Sequence, residues 1–116
     1  MFNEPSKEVL NRLPRYGANE QISQEKIVIH GHFFIGGCDW YVAEFDGEDT
    51  FWGFVNLNCP QNAEWGPFLL SELRELRLSV PVHEGCVQRY IGHLPVEVEW
   101  DAYWKPKPFA EIRWER

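Results

Sequence analysis

The sequence motifs that mark the common catalytic and cofactor sites are missing from this chain of 116 residues. It has no CxxC pair, no HExxH segment and no glycine-rich loop followed by Lys-Ser or Lys-Thr. Those patterns hold a metal ion or a phosphate because they place thiolates, imidazoles or backbone amides close together. Their absence excludes nucleotide binding by a P-loop and counts against a zinc site built from tightly spaced ligand pairs.

Cysteine is also scarce, and the chain lacks an apolar leader. The three cysteines, Cys38, Cys59 and Cys86, are odd in number and widely spaced, which predicts a reduced protein with packed thiols. The first ten residues contain Glu4 and Glu8 and no apolar segment of the signal-peptide kind. No apolar run approaches the length needed to cross a membrane. Together these features predict a cytoplasmic protein.

Basic residues are outnumbered. Eleven Lys and Arg residues face 18 Asp and Glu residues, which gives a formal net charge of -7. This balance repels phosphate backbones, so we expect no direct binding to nucleic acid. Two interpretations of the negative charge stay open: it keeps a small protein soluble, or it steers the chain onto a basic surface of a partner.

Aromatic residues are abundant and concentrated between positions 33 and 54, where eight of them occur. Asp46-Gly47 lies between two aromatic and β-branched runs, a pattern typical of a β-hairpin. The predicted strands are 40–46 and 50–57. Tyr41, Ala43 and Phe45 are predicted to face one way, with Trp40 and Val42 facing the other. Since both faces are then apolar, both need cover, and we expect a helix over one of them.

The remaining patterns predict one domain, residues 1–116, of the α+β class with a mainly antiparallel sheet of four to six strands. A short N-terminal helix is predicted before Pro14, and a short middle helix is predicted to begin near Ser71 as its N-cap. Alternation over 96–101 predicts a half-buried strand. Residues 84–94 show no clear period, which favours a variable loop.

Two histidines form the first candidate site. His30 and His32 are two residues apart, so on a strand they would project to one face and could share a metal ion, with His83, Cys86 or His93 completing the ligand set. The alternative is that they are partly exposed strand residues. Without a second tight ligand pair, the sequence predicts neither a metal site nor a cofactor.

Carboxylates form the second candidate site. Glu44 and Asp46 are predicted to share a strand face, and Glu48 and Asp49 extend the charge through the turn. A register that pairs Glu44 with Trp52 would set the carboxylate on an aromatic surface, where it would resist ionisation and could do acid–base work. The alternative is a solvated acidic turn, with Glu44 held by a backbone amide or an arginine.

Several short motifs follow one another in order along most of the chain: Leu13-Pro14, Trp40-Tyr41-Val42-Ala43-Glu44, Asp49-Thr50-Phe51-Trp52-Gly53-Phe54, Glu64-Trp65-Gly66, Leu70-Ser71-Glu72-Leu73 and Asp101-Ala102-Tyr103-Trp104-Lys105-Pro106-Lys107. Together they resemble a family of small single-domain proteins of unknown function that bacterial plasmids, phages and integrative elements carry. The chain departs from that family at Pro67-Phe68, where an aromatic normally follows the glycine directly, and in its longer segment 84–94.

The resemblance implies no reaction, cofactor or catalytic residue. It implies a small acidic accessory protein that binds a host macromolecule stoichiometrically, and counter-defence inhibitors such as anti-CRISPR or anti-restriction proteins are one such class. Surplus tryptophans beside acidic residues are also typical of protein-binding faces, and the alternative is that they are tightly packed core residues.

The sequence therefore predicts a non-catalytic binding protein whose partner is a host protein, or a protein–nucleic-acid complex, with a basic surface. The alternatives are a small metal-dependent or acid–base enzyme and a small-ligand-binding domain. The predicted partner-binding residues are Glu44, Asp46, Glu48, Asp49, Trp52 and Glu64.

Overall fold

The computed structural model describes residues 3–76, 80–84, 87–94 and 98–115, with only the backbone described for 80–84 and 87–94. Two short α-helices and nine β-strands occur within these ranges. In chain order they are α1 (Lys7–Asn11), β1 (Val28–Ile29), β2 (Gly31–Ile35), β3 (Cys38–Phe45), β4 (Thr50–Leu57), β5 (Glu64–Leu69), α2 (Leu70–Glu75), β6 (Val80–Glu84), β7 (Val87–Leu94), β8 (Glu99–Trp100) and β9 (Lys107–Pro108).

A five-stranded antiparallel sheet organises the fold, with strand order β5-β4-β3-β2-β8. Two further antiparallel pairs, β1-β9 and β6-β7, occur in the described part of the chain. The predicted α+β class, the mainly antiparallel sheet and the two short helices are confirmed. Trp52 pairs with Glu44, which confirms the hairpin register on which the acid–base interpretation depended.

A β-bulge at Ala43 changes which hairpin side chains share a face. Val42 pairs with Gly53 and Glu44 pairs with Trp52, so Ala43 is the extra residue on β3. As a result Phe45 lies with Trp40 and Val42 in the same apolar cluster. The prediction that Phe45 shares a face with Tyr41 and Ala43 is therefore wrong, because simple alternation along the strand cannot foresee an inserted residue.

Each face of the sheet has its own cover, as its composition predicts. The first face is covered by leucines of the two helical regions, which pack with buried strand residues, Phe33 among them. These leucines are Leu10 and Leu13 from the α1 region and Leu70 and Leu73 from α2. On the second face, the cover consists of the segment before β2 and the C-terminal segment. This second cluster contains Ile27, Ile29, Tyr41, Ala43 and Phe54, packed against Trp52, Trp65, Trp104, Phe109, Ile112 and Trp114.

Three expectations about local structure need correction. Helix α2 begins at Leu70 with Leu69 at its N-cap position, so Ser71 lies inside the first turn, where the Asp49 carboxylate accepts from its amide and its hydroxyl. Val87–Leu94 is a strand rather than a loop, since pairing with β6 supplies its backbone hydrogen bonds without any side-chain period. Of the strand predicted over 96–101, Glu99–Trp100 is observed as β8, while 95–97 lie outside the described residues.

The cysteines also differ from expectation. Cys59 is disulfide-bonded, so the prediction of three packed thiols is wrong for this residue. Cys38 is a free, half-buried thiol, and burial together with the nearby Asp39 carboxylate raises its pKa. Cys86 lies outside the described residues. Among those residues, neither helix has the length and apolar content that membrane crossing requires.

Candidate binding surface

Glu44 is a buried carboxylate that organises the loop after Pro14. Its side chain is only 3% exposed. Oε1 accepts from the Gly17 amide at 2.6 Å, and Oε2 accepts from both the amide and the side-chain Nδ2 of Asn19, each at 2.9 Å. Three donors on one carboxylate form a strong, charge-assisted set. The interpretation that backbone amides hold Glu44 thus describes the observed geometry, and both oxygens already accept from donors within the chain.

The acidic turn, residues Asp46–Asp49, is fixed by its own first side chain. Asp46 Oδ1 accepts from the backbone amides of Glu48, Asp49 and Thr50 at 2.8, 3.0 and 3.1 Å. Gly47 provides the positive φ of 93° that the turn requires. Hydrogen bonding by these amides lowers the pKa of Asp46, since it stabilises the charged form.

Asp49 ties the acidic turn to α2. Its Oδ1 accepts from the Ser71 amide at 2.9 Å, its Oδ2 accepts from the Ser71 hydroxyl at 2.6 Å, and its carbonyl accepts from the Leu70 amide at 2.8 Å. Glu48 differs from its neighbours, because it is exposed and its carboxylate makes no hydrogen bond or ion pair within the described residues. Glu48 is therefore the carboxylate that the turn presents to solvent.

A half-open aromatic depression lies beside the turn on the second face of the sheet. Trp52 is half-buried and stacks on Trp65 with ring centroids 5.0 Å apart. The depression encloses about 330 Å³, with Glu44 and Trp52 in its wall and with Tyr16 and Ile22 among its lining residues. Tyr16 and Ile22 are 48% and 43% exposed, so apolar surface is available to a partner at this point.

Glu64 does not join this group. It begins β5 and pairs with Val55, whereas the acidic turn precedes Thr50, which pairs with Leu69. Five residues of strand separate the two positions, roughly 17 Å at the usual rise. Asp46 and Asp49 thus hold the turn, Glu48 is exposed on it, and Trp52 follows on β4. Glu44 is buried, and Glu64 lies on β5 opposite the far end of β4.

Two residues of this surface escaped the sequence prediction. Tyr16 and Ile22 lie in the polar stretch 15–24, which reads as a simple connection. Their bulk and apolar character were the signal that could have found them. The stretch has no hydrophobic periodicity, so these side chains belong to no strand or helix face. The acidic turn, by contrast, follows directly from the Asp-Gly hairpin pattern.

The histidines are separated by their environments. His30 precedes β2 and is half-buried, and desolvation lowers its pKa. His32 lies on β2, 7% exposed, with Nε2 2.7 Å from Oδ1 of Asp39. Among the described residues, no three potential ligands lie close enough to hold a metal ion. The side chains of His83 and His93 lie outside the described residues.

Asp39 and Asp101 were not recognised as partners of His32 from the sequence. Asp39 lies diagonally across the β2-β3 hairpin from His32, and Asp101 Oδ2 lies 3.7 Å from His32 Nδ1. A hairpin centred on Gly36-Gly37 would have paired position 32 with 41, which puts Asp39 within reach.

Comparisons of the chain with protein-family models, curated proteins and solved structures give no match.

The first testable prediction concerns Asp46 and pH. Because folding lowers its pKa, Asp46 stabilises the turn fully above the usual value of 3.8, and this contribution is lost as pH falls through the lower folded value. In an NMR titration, the amide resonances of Glu48, Asp49 and Thr50 should move together in acid with a midpoint below 3.8. In Asp46→Asn this common transition should be absent. Independent midpoints for the three amides would contradict the arrangement.

Proposed function

We propose that this chain is a non-catalytic binding protein that acts stoichiometrically on a host macromolecule with a basic surface. The surface involved consists of Glu48, Trp52, Tyr16 and Ile22. Resemblance to proteins of mobile genetic elements supports a counter-defence inhibitor as the more specific form of this proposal. The expected site of action is the cytoplasm.

The observation that carries the proposal is the fixed geometry of the acidic turn. The carboxylates of Asp46 and Asp49 accept hydrogen bonds from backbone amides and from the Ser71 hydroxyl, so the turn is ordered before any partner binds. A pre-ordered surface loses less conformational entropy on binding. Glu48 is then presented on a rigid support, four positions before Trp52 in the chain.

Charge and aromatic area have separate roles in this surface. The net charge of -7 speeds encounter with a basic partner. The half-exposed rings of Tyr16 and Trp52 provide apolar contact area, and aromatic side chains are the residues that dominate binding energy at protein interfaces. Glu44 contributes indirectly because it fixes the loop that carries Tyr16.

The second testable prediction is that Glu48→Lys weakens partner binding and lowers its salt dependence, chiefly through slower association. Glu99→Lys is the matched control, because Glu99 is also exposed and the substitution changes the net charge equally. Glu99 lies on β8 and pairs with Phe34, which in turn pairs with Asp39, so it is at the other end of the sheet from the turn. Proteins retained from a host lysate by immobilised wild type, Glu48→Lys and Glu99→Lys would be compared by quantitative mass spectrometry.

The expected result is a basic protein that wild type and Glu99→Lys retain and Glu48→Lys loses. Equal retention by all three chains would remove the turn from the interface, and no retained protein at all would contradict the proposed function. The comparison is run with and without reductant, since Cys59 is disulfide-bonded and such bonds are rare in the bulk cytosol.

A further inference from the structure

A second cavity lies on the same face of the sheet, between β2 and β3 and the C-terminal segment. It encloses about 330 Å³ and is lined by His32, Tyr41, Trp104, Lys107, Ile112 and Arg113, together with Glu111. That volume is at the lower end of the range for small-molecule sites. None of the residues that form the proposed partner surface lines this cavity.

The floor of the cavity is a buried, oriented imidazole. His32 Nε2 lies within hydrogen-bond distance of Asp39 Oδ1, at 2.7 Å, and Asp39 is itself 4% exposed. Nδ1 is buried and has no hydrogen-bond partner among the described residues, with Asp101 Oδ2 too distant at 3.7 Å. Buried polar atoms without a partner are uncommon in folded proteins, and a bound molecule is one of the things that can satisfy them.

The walls of the cavity are aromatic and rigid. The Tyr41 ring stacks on His32 with centroids 4.8 Å apart, and the Trp104 ring lies 5.2 Å from the same imidazole. Trp104 is held in place because its Nε1 donates to the carbonyl of Ile29 at 3.0 Å. Of these two rings only Trp104 can be reached by an occupant, since Tyr41 is 1% exposed. A fixed ring beside an open volume favours a planar occupant, which can pack there without ordering the protein further.

The charge at the mouth is opposite to that of the chain. Lys107 and Arg113 line the cavity against a single carboxylate, Glu111, although the chain as a whole carries -7. The Lys107 ammonium lies 4.6 Å from the centroid of the Trp104 ring, so the cation is held beside the aromatic wall. An anionic group on a ring stacked in the cavity would lie near both cations.

We propose that this cavity binds a small planar ligand that consists of an aromatic ring bearing one carboxylate or phosphate group. The ring packs against Trp104 and Ile112, and the anionic group pairs with Lys107 and Arg113. The proposal is independent of the partner surface, since it uses different residues.

Calorimetric titration and the ligand-dependent rise in melting temperature test the proposal with two probes, benzoate and phenyl phosphate. Matched neutral probes are benzamide and phenol, and the ringless anions are acetate and inorganic phosphate. We expect at least one ring anion to bind more tightly than its neutral and ringless counterparts, and which of the two binds identifies the anionic group. If neither binds, or if neutral or ringless probes bind equally well, the proposal is overturned.

Variants locate the binding. Lys107→Gln should weaken the ring anion about tenfold, as expected for loss of a charge-assisted contact. Lys105→Gln, an exposed neighbour outside the cavity, is the control and should bind as wild type does. In NMR spectra the imidazole nitrogens of His32 and the indole N–H of Trp104 should shift on binding while those of His30 stay in place. Unchanged His32 and Trp104 resonances with measurable binding would place the ligand elsewhere and reject this site.

Discussion

Replacing Glu44 with alanine should lower the free energy of unfolding by about 3 kcal/mol, because three N–H donors lose a buried carboxylate acceptor at once. Hydrogen bonds to charged groups contribute more than neutral ones, and the amides of Gly17 and Asn19 would be left without that acceptor. In a domain of this size the melting temperature should fall by about 10 °C. The loop after Pro14 should also open locally, so hydrogen exchange at Gly17 and Asn19 should accelerate more than exchange in β3.

Two controls separate this effect from loss of charge or of side-chain bulk. Glu44→Gln keeps the shape but turns one acceptor into a donor that faces other donors, so it should fall between wild type and Glu44→Ala. Glu64→Ala removes an exposed glutamate from the neighbouring β5 and should change stability by less than about 0.5 kcal/mol. Equal stability of Glu44→Ala and Glu64→Ala would show that the buried carboxylate does not hold the loop.

Local patterns predict this fold well where neighbours in sequence decide the structure. The Asp-Gly turn and the flanking aromatic runs predict the β3-β4 hairpin and its pairing of Glu44 with Trp52, because a hairpin's register follows from its turn. The same patterns fail where a distant residue decides. Ser71 is of a residue type that often caps helices, yet in the structure its amide donates to the side chain of Asp49. Asp49 lies 22 positions earlier, and its carboxylate reaches Ser71 only once the sheet has formed.

The candidate sites show the same division. The sequence predicts an acidic turn but not the role of each carboxylate in it. Asp46 and Asp49 hold the turn because backbone amides lie near them in the folded chain, and the sequence does not show those amides. The donors to Glu44 come from a polar stretch that carries no periodic signal. His32 is recognisable as a candidate ligand, whereas its pairing with Asp39 depends on the diagonal geometry of a second hairpin.

Gly53→Ala is expected to destabilise the protein by about 3 kcal/mol or more, the largest effect of any substitution considered. The bulge at Ala43 brings β3 so close that a Cβ on Gly53 would overlap the backbone oxygen of Tyr41. A backbone oxygen within a central strand cannot rotate away as a side chain can, so the methyl group must push β3 and β4 apart. Thermal and denaturant unfolding would measure the loss, and circular dichroism would show whether the chain still folds.

Gly66→Ala provides the matched control, because Gly66 is the residue paired with Gly53 on β5 and a Cβ there has nothing within 4 Å. Both substitutions add one methyl group to the same row of the sheet and remove the same backbone freedom from the unfolded chain. Gly66→Ala should therefore be neutral or stabilise by up to about 1 kcal/mol. If the two variants unfolded alike, the bulge would not bring β3 against β4 as described, and the placement of Glu44 beside Trp52, which depends on that bulge, would fail with it.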